Sequence, residues 1–372
     1  MPNVDMIPHI KNPIANDRNA NVKVLFHPIL SIVFIISDTI SPFIFTTSSS
    51  KKIFLINFVV SDTKIYKLLY ILINRIEVVL LNFKLARINL SNHNWKEEKI
   101  DDKLLRNFIG GRGLGTYLAL KEIPKGIDPF SIENKIFILT GPLTGTGAYE
   151  SGRYHVVGKS PLTGYLGDAN SGGDFGPWLR FAGFDGLIIE GKSEDPVWLR
   201  IENGDIKFND ASELWGKGVH HTERIIREKV NMTSETMGSV LAIGPAGENK
   251  SKIAAIMNDR YRAAGRTGLG AVLGDKKLKA IWAYGKRNLL KEMYDPKKFT
   301  NEAKKLTDKI MANPVSQALT QLGTLVLMNM TNSLGGLPTK NWTRGIYEKA
   351  FDISGEHLAE SYLKTRKGCW GC

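Results

Sequence analysis

The fold of this chain is decided by residues 151–184, which read SGRYHVVGKSPLTGYLGDANSGGDFGPWLRFAGF. A second stretch, residues 258–274 (NDRYRAAGRTGLGAVLG), has the same character. Both mix Gly, Arg, Asn and Asp where an ordinary core would place Leu, Ile and Val. Glycine suits backbone that takes a positive φ or approaches a ligand closely, and arginine offers a planar fork of donors to phosphate or carboxylate. Two such glycine-rich loops predict a cradle for an anionic, heteroatom-rich cofactor; the plainer alternative is two tight turns with surface arginines.

The composition is that of a globular protein with room for two or three domains. The chain has 372 residues, of which 42% are apolar and 23% charged, and its formal net charge is +13. Such a charge raises the possibility of nucleic-acid binding, but the basic residues are spread along the chain without a dense Lys/Arg run. We therefore expect no nucleic-acid partner; an acidic electron carrier is compatible with the charge.

The two cysteines lie together in the final GCWGC, at Cys369 and Cys372. Nothing in this pattern resembles a secreted disulfide framework, so a reducing, cytoplasmic location is favoured. A C-x-x-C pair of this kind indicates a metal, cluster or redox site.

The first 82 residues differ from the rest, because they are rich in Ile, Asn, Ser, Lys and Phe and nearly free of Gly. Their apolar run at residues 29–36 is too short to span a bilayer. Residues 66–81 form a second apolar stretch typical of an amphipathic helix, and attachment to a membrane surface is the minor alternative. We expect residues 1–82 to be a poorly packed appendage outside the catalytic fold, which could also arise from a start codon assigned too far upstream.

From residue 83 the pattern predicts an α+β fold with mixed sheets, because strands outnumber helices and are joined mostly by turns. Strands are predicted at residues 84–90, 95–100, 135–140, 154–157, 187–190, 197–202, 206–209, 239–243, 253–257 and 278–282. Helices are predicted at residues 102–108, 114–123, 220–229, 296–311, 316–332 and 354–364. The expected domains are residues 83–286, a β-rich cofactor-binding domain, and residues 287–372, the start of a helical domain.

Several common catalytic patterns are absent from the sequence. The letters G-x-x-x-x-G-K-[ST] occur once, at residues 186–193 (GLIIEGKS), but there they run through the apolar strand predicted at residues 187–190 and do not form a strand-to-helix loop. The sequence contains no H-E-x-x-H motif and no G-x-S-x-G elbow. The glycine-rich segments at residues 111–115 and 265–270 do not have the order or the distal acid of a dinucleotide-binding turn. Hydrolase and P-loop functions are therefore disfavoured, and the sequence assigns no catalytic residue.

Long motifs in residues 83–372 resemble the N-terminal part of the aldehyde ferredoxin oxidoreductase family, the tungsten-pterin enzymes of anaerobes. They include FIGGRGLGTYLALKEIPKGIDPFS, the whole of residues 151–184, IGPAGEN, and AAIMNDRYRAAGRTGLGAVLGDKKLKAI. In the helical part, LGGLPTKNWTRG and ISGEHLAESYL are similar as well.

The resemblance implies that the β-rich domain forms a saddle for two pyranopterin-dithiolene ligands that hold tungsten, with Mg²⁺ bridging the pterin phosphates. The implied cofactor contacts are Arg153, Asn170, Gly172, Arg262, Ala263, Gly265 and Arg266. Cys369 and Cys372 match the first two ligands of a [4Fe-4S] cluster, and Arg153 lies where the family links pterin to cluster. In the family the dithiolene sulfurs hold the metal, so no protein side chain is needed as its ligand.

The implied reaction oxidises an aldehyde to a carboxylic acid and passes two electrons through the cluster to ferredoxin. Because the chain stops at Cys372, the other two cluster cysteines and the later helical domains are expected outside it. A homodimer, or the C-terminal half supplied by a second chain, would be the protein partner. The alternative is a catalytically silent cofactor-binding fragment or a subunit encoded by a split gene.

Overall fold

A computed structural model describes residues 22–27, 31–36, 43–46 and 83–372, apart from residues 233, 235 and 236. The chain divides into two units, residues 1–76 and 77–372. In the first unit, an antiparallel sheet has the order β1 (Val22–His27), β2 (Ser31–Ile36) and β3 (Phe43–Thr46). The helix predicted at residues 66–81 falls outside the described residues, and the loose packing expected of residues 1–82 stays a prediction.

The second unit contains two six-stranded sheets, ordered β5-β4-β9-β6-β7-β8 and β11-β10-β15-β12-β13-β14. Their strands are β4 (Lys84–Asn89), β5 (Asn94–Lys99), β6 (Ile136–Thr140), β7 (Tyr154–Lys159), β8 (Leu166–Ser171), β9 (Gly186–Glu190), β10 (Val197–Glu202), β11 (Asp205–Asp210), β12 (Ser239–Ala242), β13 (Ile256–Asn258), β14 (Arg262–Ala264) and β15 (Leu278–Tyr284). Strand β4 runs parallel to β9, and β10 runs parallel to β15, whereas the other neighbours are antiparallel. Both sheets are mixed, which confirms the predicted α+β class.

The helices connect and cover these sheets and then make up the C-terminal part. They are α1 (Asp102–Phe108), α2 (Gly111–Glu122), α3 (Phe175–Phe181), α4 (Val219–Lys229), α5 (Pro245–Glu248), α6 (Leu269–Asp275), α7 (Pro296–Met311), α8 (Pro314–Leu322), α9 (Leu327–Ser333) and α10 (Gly355–Ser361). Short 3₁₀ turns lie at Ser212–Leu214, Leu289–Glu292, Gly323–Val326 and Phe351–Ile353. Among the described residues, no helix is long and apolar enough to cross a membrane.

The main core is formed jointly by the two sheets. One cluster of buried side chains includes Ile138 of β6 and Ile281 of β15. The opposite face of the first sheet packs against α1 and α2, with Leu139 and Leu114 in one cluster. The opposite face of the second sheet packs against α4 around Trp282. Because successive residues of a strand point to opposite faces, β6 and β15 are buried on both sides, which explains their nearly continuous apolar sequences.

Helix α3 was not predicted from the sequence. Buried ion pairs hold this helix in place next to Gly172 and the residues that follow it. Arg180 Nε lies 2.6 Å from Asp185 Oδ1, and Arg180 Nη1 donates to the carbonyl of Thr144 at 2.8 Å. Arg287 Nη1 lies 3.2 Å from the second oxygen of Asp185, which is fully buried. These contacts hold the end of α3, and with it the chain after Gly172, against the start of β9.

The helices of the C-terminal part have little core of their own. Helices α7, α8 and α9 contain no buried residue, and α10 contains only Gly355. The helix predicted at residues 316–332 is divided, because Gly323 takes φ +63° and ψ −158°, a conformation nearly restricted to glycine. A 3₁₀ turn then separates α8 from α9.

Candidate cofactor-binding site

The first glycine-rich stretch is largely a hairpin of β7 and β8. Part of the glycine-rich loop predicted within residues 151–184 is a strand instead, because β8 pairs with β7, with Tyr154 opposite Ser171 and His155 opposite Asn170. The alternation of strands places His155 and Asn170 on one face of the sheet, together with Arg153 just before β7. Tyr154 and Ser171 therefore lie on the other, buried face.

Arg153 and Asn170 are in direct contact on the open face. Arg153 Nη1 donates to Asn170 Oδ1 at 2.5 Å. Arg153 is exposed and Asn170 is half-buried. The amide oxygen of Asn170 therefore orients the guanidinium of Arg153. The other N–H donors of this exposed guanidinium can bind solvent or a ligand.

The second stretch turns from β13 into β14 beside β8. Asp259 and Arg260 at this turn have φ of 49° and 61°, an uncommon conformation for residues other than glycine. Arg262 is half-buried, and its Nη2 donates to the carbonyl of Lys367 at 3.2 Å. The other predicted contacts of this stretch are exposed: Ala263, Gly265 and Arg266.

A buried polar network joins the two stretches. The amide oxygen of Asn258 accepts from the Tyr154 hydroxyl at 2.9 Å and from the Ser171 hydroxyl at 2.8 Å. Its amide nitrogen donates to the carbonyl of Gly172 at 3.0 Å. Burial, and then the neighbouring Asp259, raise the pKa of Tyr154 far above its ordinary value, so this hydroxyl keeps its proton.

Gly173 is required where the two stretches meet. It has φ +87°, and a Cβ there would lie 2.5 Å from Asn258 Nδ2 and 2.6 Å from Asp259 Oδ2. The next residue, Asp174, donates its backbone N–H to Asp259 Oδ2 at 2.7 Å. Burial and then Asp259 raise the pKa of the Asp174 carboxyl, while Lys367 and Arg262 oppose the rise. The sequence analysis did not identify Asp174.

The terminal C-x-x-C lies directly on the first stretch. A Cβ at Gly172 would be 2.7 Å from Cys369 Sγ. The backbone N–H of Trp370 donates to Gly173 O at 3.3 Å, and Glu150 N–H donates to Gly371 O at 2.8 Å. The structure thus brings Cys369 beside the end of the β7–β8 hairpin that carries Arg153 and Asn170.

Two thiols are half of a four-cysteine ligand set. Cys369 is partly buried and Cys372 is exposed, and the N–H of Cys372 donates to the carbonyl of Cys369 at 3.0 Å. Within residues 83–372, as far as they are described, no group of three or more His, Cys, Asp or Glu could hold a metal ion. The pair therefore fits a [4Fe-4S] cluster only as two of its ligands.

We define the cradle as the open face of residues 150–153 and 170–173 together with residues 262–266. Its donors are guanidinium, amide and backbone groups, which suit an oxygen-rich anion. At Gly265 a Cβ would approach no atom closer than the 3.9 Å to Ala255 Cβ, so the chain leaves room there for a ligand. These features fit a phosphate-bearing pterin cofactor.

One side-chain cluster on the same face was missed by the sequence analysis. Asp168 Oδ1 lies 3.2 Å from His155 Nδ1, and Asp168 Oδ2 lies 2.7 Å from Arg112 Nε. Strand alternation could have revealed this cluster. Once the β7–β8 hairpin is recognised, alternation puts His155 on the same face of the sheet as Arg153, and Asp168 on the same face as Asn170.

Comparison with known protein families shows to which family this chain belongs. The sequence profile of the aldehyde ferredoxin oxidoreductase N-terminal domain matches residues 85–285. The chain belongs to the aldehyde ferredoxin oxidoreductase family. The family profile of domains 2 and 3 matches residues 301–372.

Tungsten-containing members of the family are similar to this chain along most of its length. The tungsten-containing aldehyde ferredoxin oxidoreductases of Pyrococcus furiosus and Pyrococcus horikoshii are 47% and 45% identical over 290 residues, which are 78% of this chain and 47% of each relative. The chain thus spans about half the length of these relatives. A Pyrococcus furiosus protein named aliphatic sulfonate oxidoreductase, WOR-like subunit, is 39% identical over 58% of this chain and 36% of its own length.

A solved structure shares the fold. The BamBC active-site complex of benzoyl coenzyme A reductase, determined with 1,5-dienoyl-CoA, superposes with a TM-score of 0.67 at 27% identity. The match covers 78% of this chain and 46% of the other.

Proposed function

We propose that this chain is the cofactor-binding half of a tungsten-pterin oxidoreductase that converts an aldehyde and water to a carboxylic acid, with two electrons delivered to ferredoxin in the cytoplasm. The observation that carries the proposal is the contact of Cys369 with Gly172, beside the Arg153–Asn170 pair. A redox cluster and an anionic cofactor would then be neighbours. Tungstopterin supplies two-electron chemistry at a metal held by dithiolene sulfurs, and a [4Fe-4S] cluster supplies one-electron transfer.

The residues of this chain would bind and orient the cofactor. Arg153, held by Asn170, would donate to its edge next to Cys369. Arg262 and Arg266 would donate to its phosphates, which would also bind Mg²⁺, and the bare backbone of Gly265 would allow a close approach. At Gly172 the missing side chain would instead leave room for Cys369 beside the cofactor. Cys369 and Cys372 would supply two of the four cluster thiolates.

The exposed apolar side chains of the helical part support a further packing partner. Leu334 is 75% exposed, Trp342 70% and Val315 67%. Three of the helices there contain no buried residue, although helices in proteins are normally stabilised by packing an apolar face. We propose that this exposed apolar surface packs against further helical structure of the family type, in the same protein or in a second chain.

Cofactor content tests the function. The chain is produced anaerobically with tungstate, and tungsten and pterin per chain are measured for the wild type, Arg153→Ala and Arg266→Ala. Each lost charge-assisted contact should weaken cofactor retention by about 10- to 100-fold. The control is Arg224→Ala, an exposed arginine on α4. Unchanged tungsten per chain in both Arg153→Ala and Arg266→Ala would show that these arginines are ordinary surface residues that do not bind the cofactor.

A cofactor-binding subunit without its own activity is the second candidate. It is favoured by the two-thiol ligand set and by the relative that is named a subunit. An anaerobic assay of the cofactor-loaded chain for aldehyde oxidation, with ferredoxin as electron acceptor, distinguishes the candidates. Tungsten and pterin bound without turnover support the subunit, whereas turnover by the chain alone would exclude it.

A further inference from the structure

The cluster of Arg112, His155 and Asp168 adjoins the cradle on the same face of the first sheet. Val157, the next residue of β7 on this face, is buried in the core beneath α2. His155 lies where that cover ends, and its side chain is 23% exposed. Asp168 is 20% exposed and Arg112 is 57% exposed. The cluster therefore occupies the border between the packed helix and the open surface that carries Arg153.

The imidazole of His155 is held in one orientation. Its Nδ1 lies 3.2 Å from Asp168 Oδ1. On the other side, a Cβ at Gly111 would lie 3.1 Å from His155 Cδ2, so a larger residue there would crowd the ring. Because a carboxylate accepts and cannot donate, the proton of a neutral imidazole lies on Nδ1, and Nε2 is left as an acceptor.

The remaining polar atoms of the cluster are available to a ligand. Within the described residues, no hydrogen-bond partner is found for His155 Nε2. Arg112 uses Nε for Asp168, which leaves its two terminal nitrogens on the open surface. The cluster thus presents one acceptor and a pair of cationic donors.

We propose that Arg112 and His155 form a third contact edge of the cradle. In this arrangement Arg112 binds an anionic oxygen of the cofactor, and His155 Nε2 accepts a hydrogen bond from an N–H of its pterin ring. Asp168 is a positioning residue that sets the tautomer of His155 and the orientation of Arg112. This inference rests on the proposed function, because it assigns further residues to the same cofactor.

Asp168→Asn gives the sharpest test, since it changes no volume. The Nε–H of Arg112 needs an acceptor, so the amide oxygen would face Arg112 and the amide NH₂ would face His155 Nδ1. The imidazole proton would then move to Nε2, which would become a donor. Although His155 and Arg112 both remain, we expect cofactor retention to fall about tenfold or more.

Two further variants separate a contact from a structural role. His155→Leu removes the acceptor and should lower retention to a similar extent, whereas His155→Gln keeps an amide oxygen and should restore part of it. The control is His221→Leu, on the exposed side of α4. Tungsten and pterin per chain are measured after anaerobic production with tungstate, beside the melting temperature of each cofactor-free variant.

Lost cofactor in Asp168→Asn and His155→Leu, with the melting temperature of the control, supports the inference. Full cofactor in both variants would overturn it, while a loss in Arg266→Ala would leave the proposed function standing. A loss of cofactor together with a lower melting temperature of the cofactor-free chain would make the cluster structural and overturn the inference. If the wild-type chain contains neither tungsten nor pterin, this result would contradict the proposed function and therefore also this inference.

Discussion

The side-chain amide of Asn258 donates to the backbone carbonyl of Gly172 at 3.0 Å, and both residues are buried. This bond ties the turn that precedes Arg262 to the loop that follows Asn170. The exposed arginines of the cradle are therefore positioned by a buried network beneath them. Since buried polar groups are costly when unpaired, this network should be sensitive to the loss of one member.

Asn258→Ala should lower the free energy of unfolding by about 2–4 kcal/mol, because it leaves the Tyr154 hydroxyl and the Gly172 carbonyl without this partner. Urea denaturation of the cofactor-free chain measures the change. The matched control is Asn301→Ala on the exposed surface of α7, which should change stability by less than about 0.5 kcal/mol. Equal effects of the two substitutions would show that the network contributes nothing specific.

Gly172 and Gly265 should respond differently to a methyl group. At Gly172 the new Cβ would lie 2.7 Å from Cys369 Sγ, so Gly172→Ala should displace the C-x-x-C segment and speed the alkylation of Cys369 by iodoacetamide several-fold. At Gly265 the nearest atom would be 3.9 Å away, so Gly265→Ala should leave the rate unchanged. Mass spectrometry follows each thiol, with the exposed Cys372 as internal reference. Identical Cys369 rates in the two variants would contradict the contact.

Helix α4 offers a buried and an exposed ion pair with the same spacing. Arg227 and Glu223 lie 2.9 Å apart with side-chain exposures of 4% and 2%, while Arg224 and Glu228 lie 3.0 Å apart at 59% and 52%. Arg227→Ala should cost about 2–4 kcal/mol, because the Glu223 charge stays buried with Arg260 Nε 3.7 Å away. Arg224→Ala should cost less than about 0.5 kcal/mol. Thermal and urea denaturation measure the free energy of unfolding of the two variants. Similar losses of stability in both would show that burial does not decide the contribution of the ion pair.

Stability should rise with pH in the alkaline range because of Lys276. Burial lowers the pKa of this amine to about 8, and its Nζ donates to Gly191 O at 2.7 Å. Between this pKa and the ordinary value of about 10.4, the unfolded chain holds a proton that the folded chain has released. The stabilising contribution of Lys276 is therefore fully present above its ordinary pKa and is lost as the pH falls through its pKa in the folded chain. Across this window the free energy of unfolding changes by about 3 kcal/mol.

Lys276→Met should remove this pH dependence. The measurement is the difference in unfolding free energy between wild type and variant at pH values across the window, which cancels other titrating groups. Lys103→Met, an exposed lysine of α1, is the control and should leave the wild-type slope intact. A slope in Lys276→Met equal to that of the wild type would show that this amine titrates normally in the folded chain.

The sequence predicted those elements whose signals are local. Helix α7 has its predicted bounds, because the side chain of Asp295 accepts from Lys298 N–H and Pro296 occupies the first turn. Helix α1 begins at the predicted cap, where Asp101 accepts from Lys103 N–H. The apolar run of β15 was recognisable as a buried strand. Each of these signals operates within a few residues.

Elements that depend on distant partners were missed. Strand β8 contains Gly, Asp and Asn, which are poor strand formers, and it exists because β7 pairs with it along its whole length. Helix α3 is short and depends on the buried pair of Arg180 and Asp185. His155 carries no local signal, since its neighbours on the sheet are defined only by the register of β7 and β8.

By itself the sequence determined the α+β class, the two glycine- and arginine-rich stretches and the thiol pair, because composition and spacing are properties of the chain alone. Tertiary structure decided that Asn258 joins the two stretches and that Cys369 lies against Gly172. It also brought His155 and Asp168 onto the face that carries Arg153. Such juxtapositions follow from strand register and loop closure over long separations, where the free energy is set by packing of the whole core rather than by local propensity.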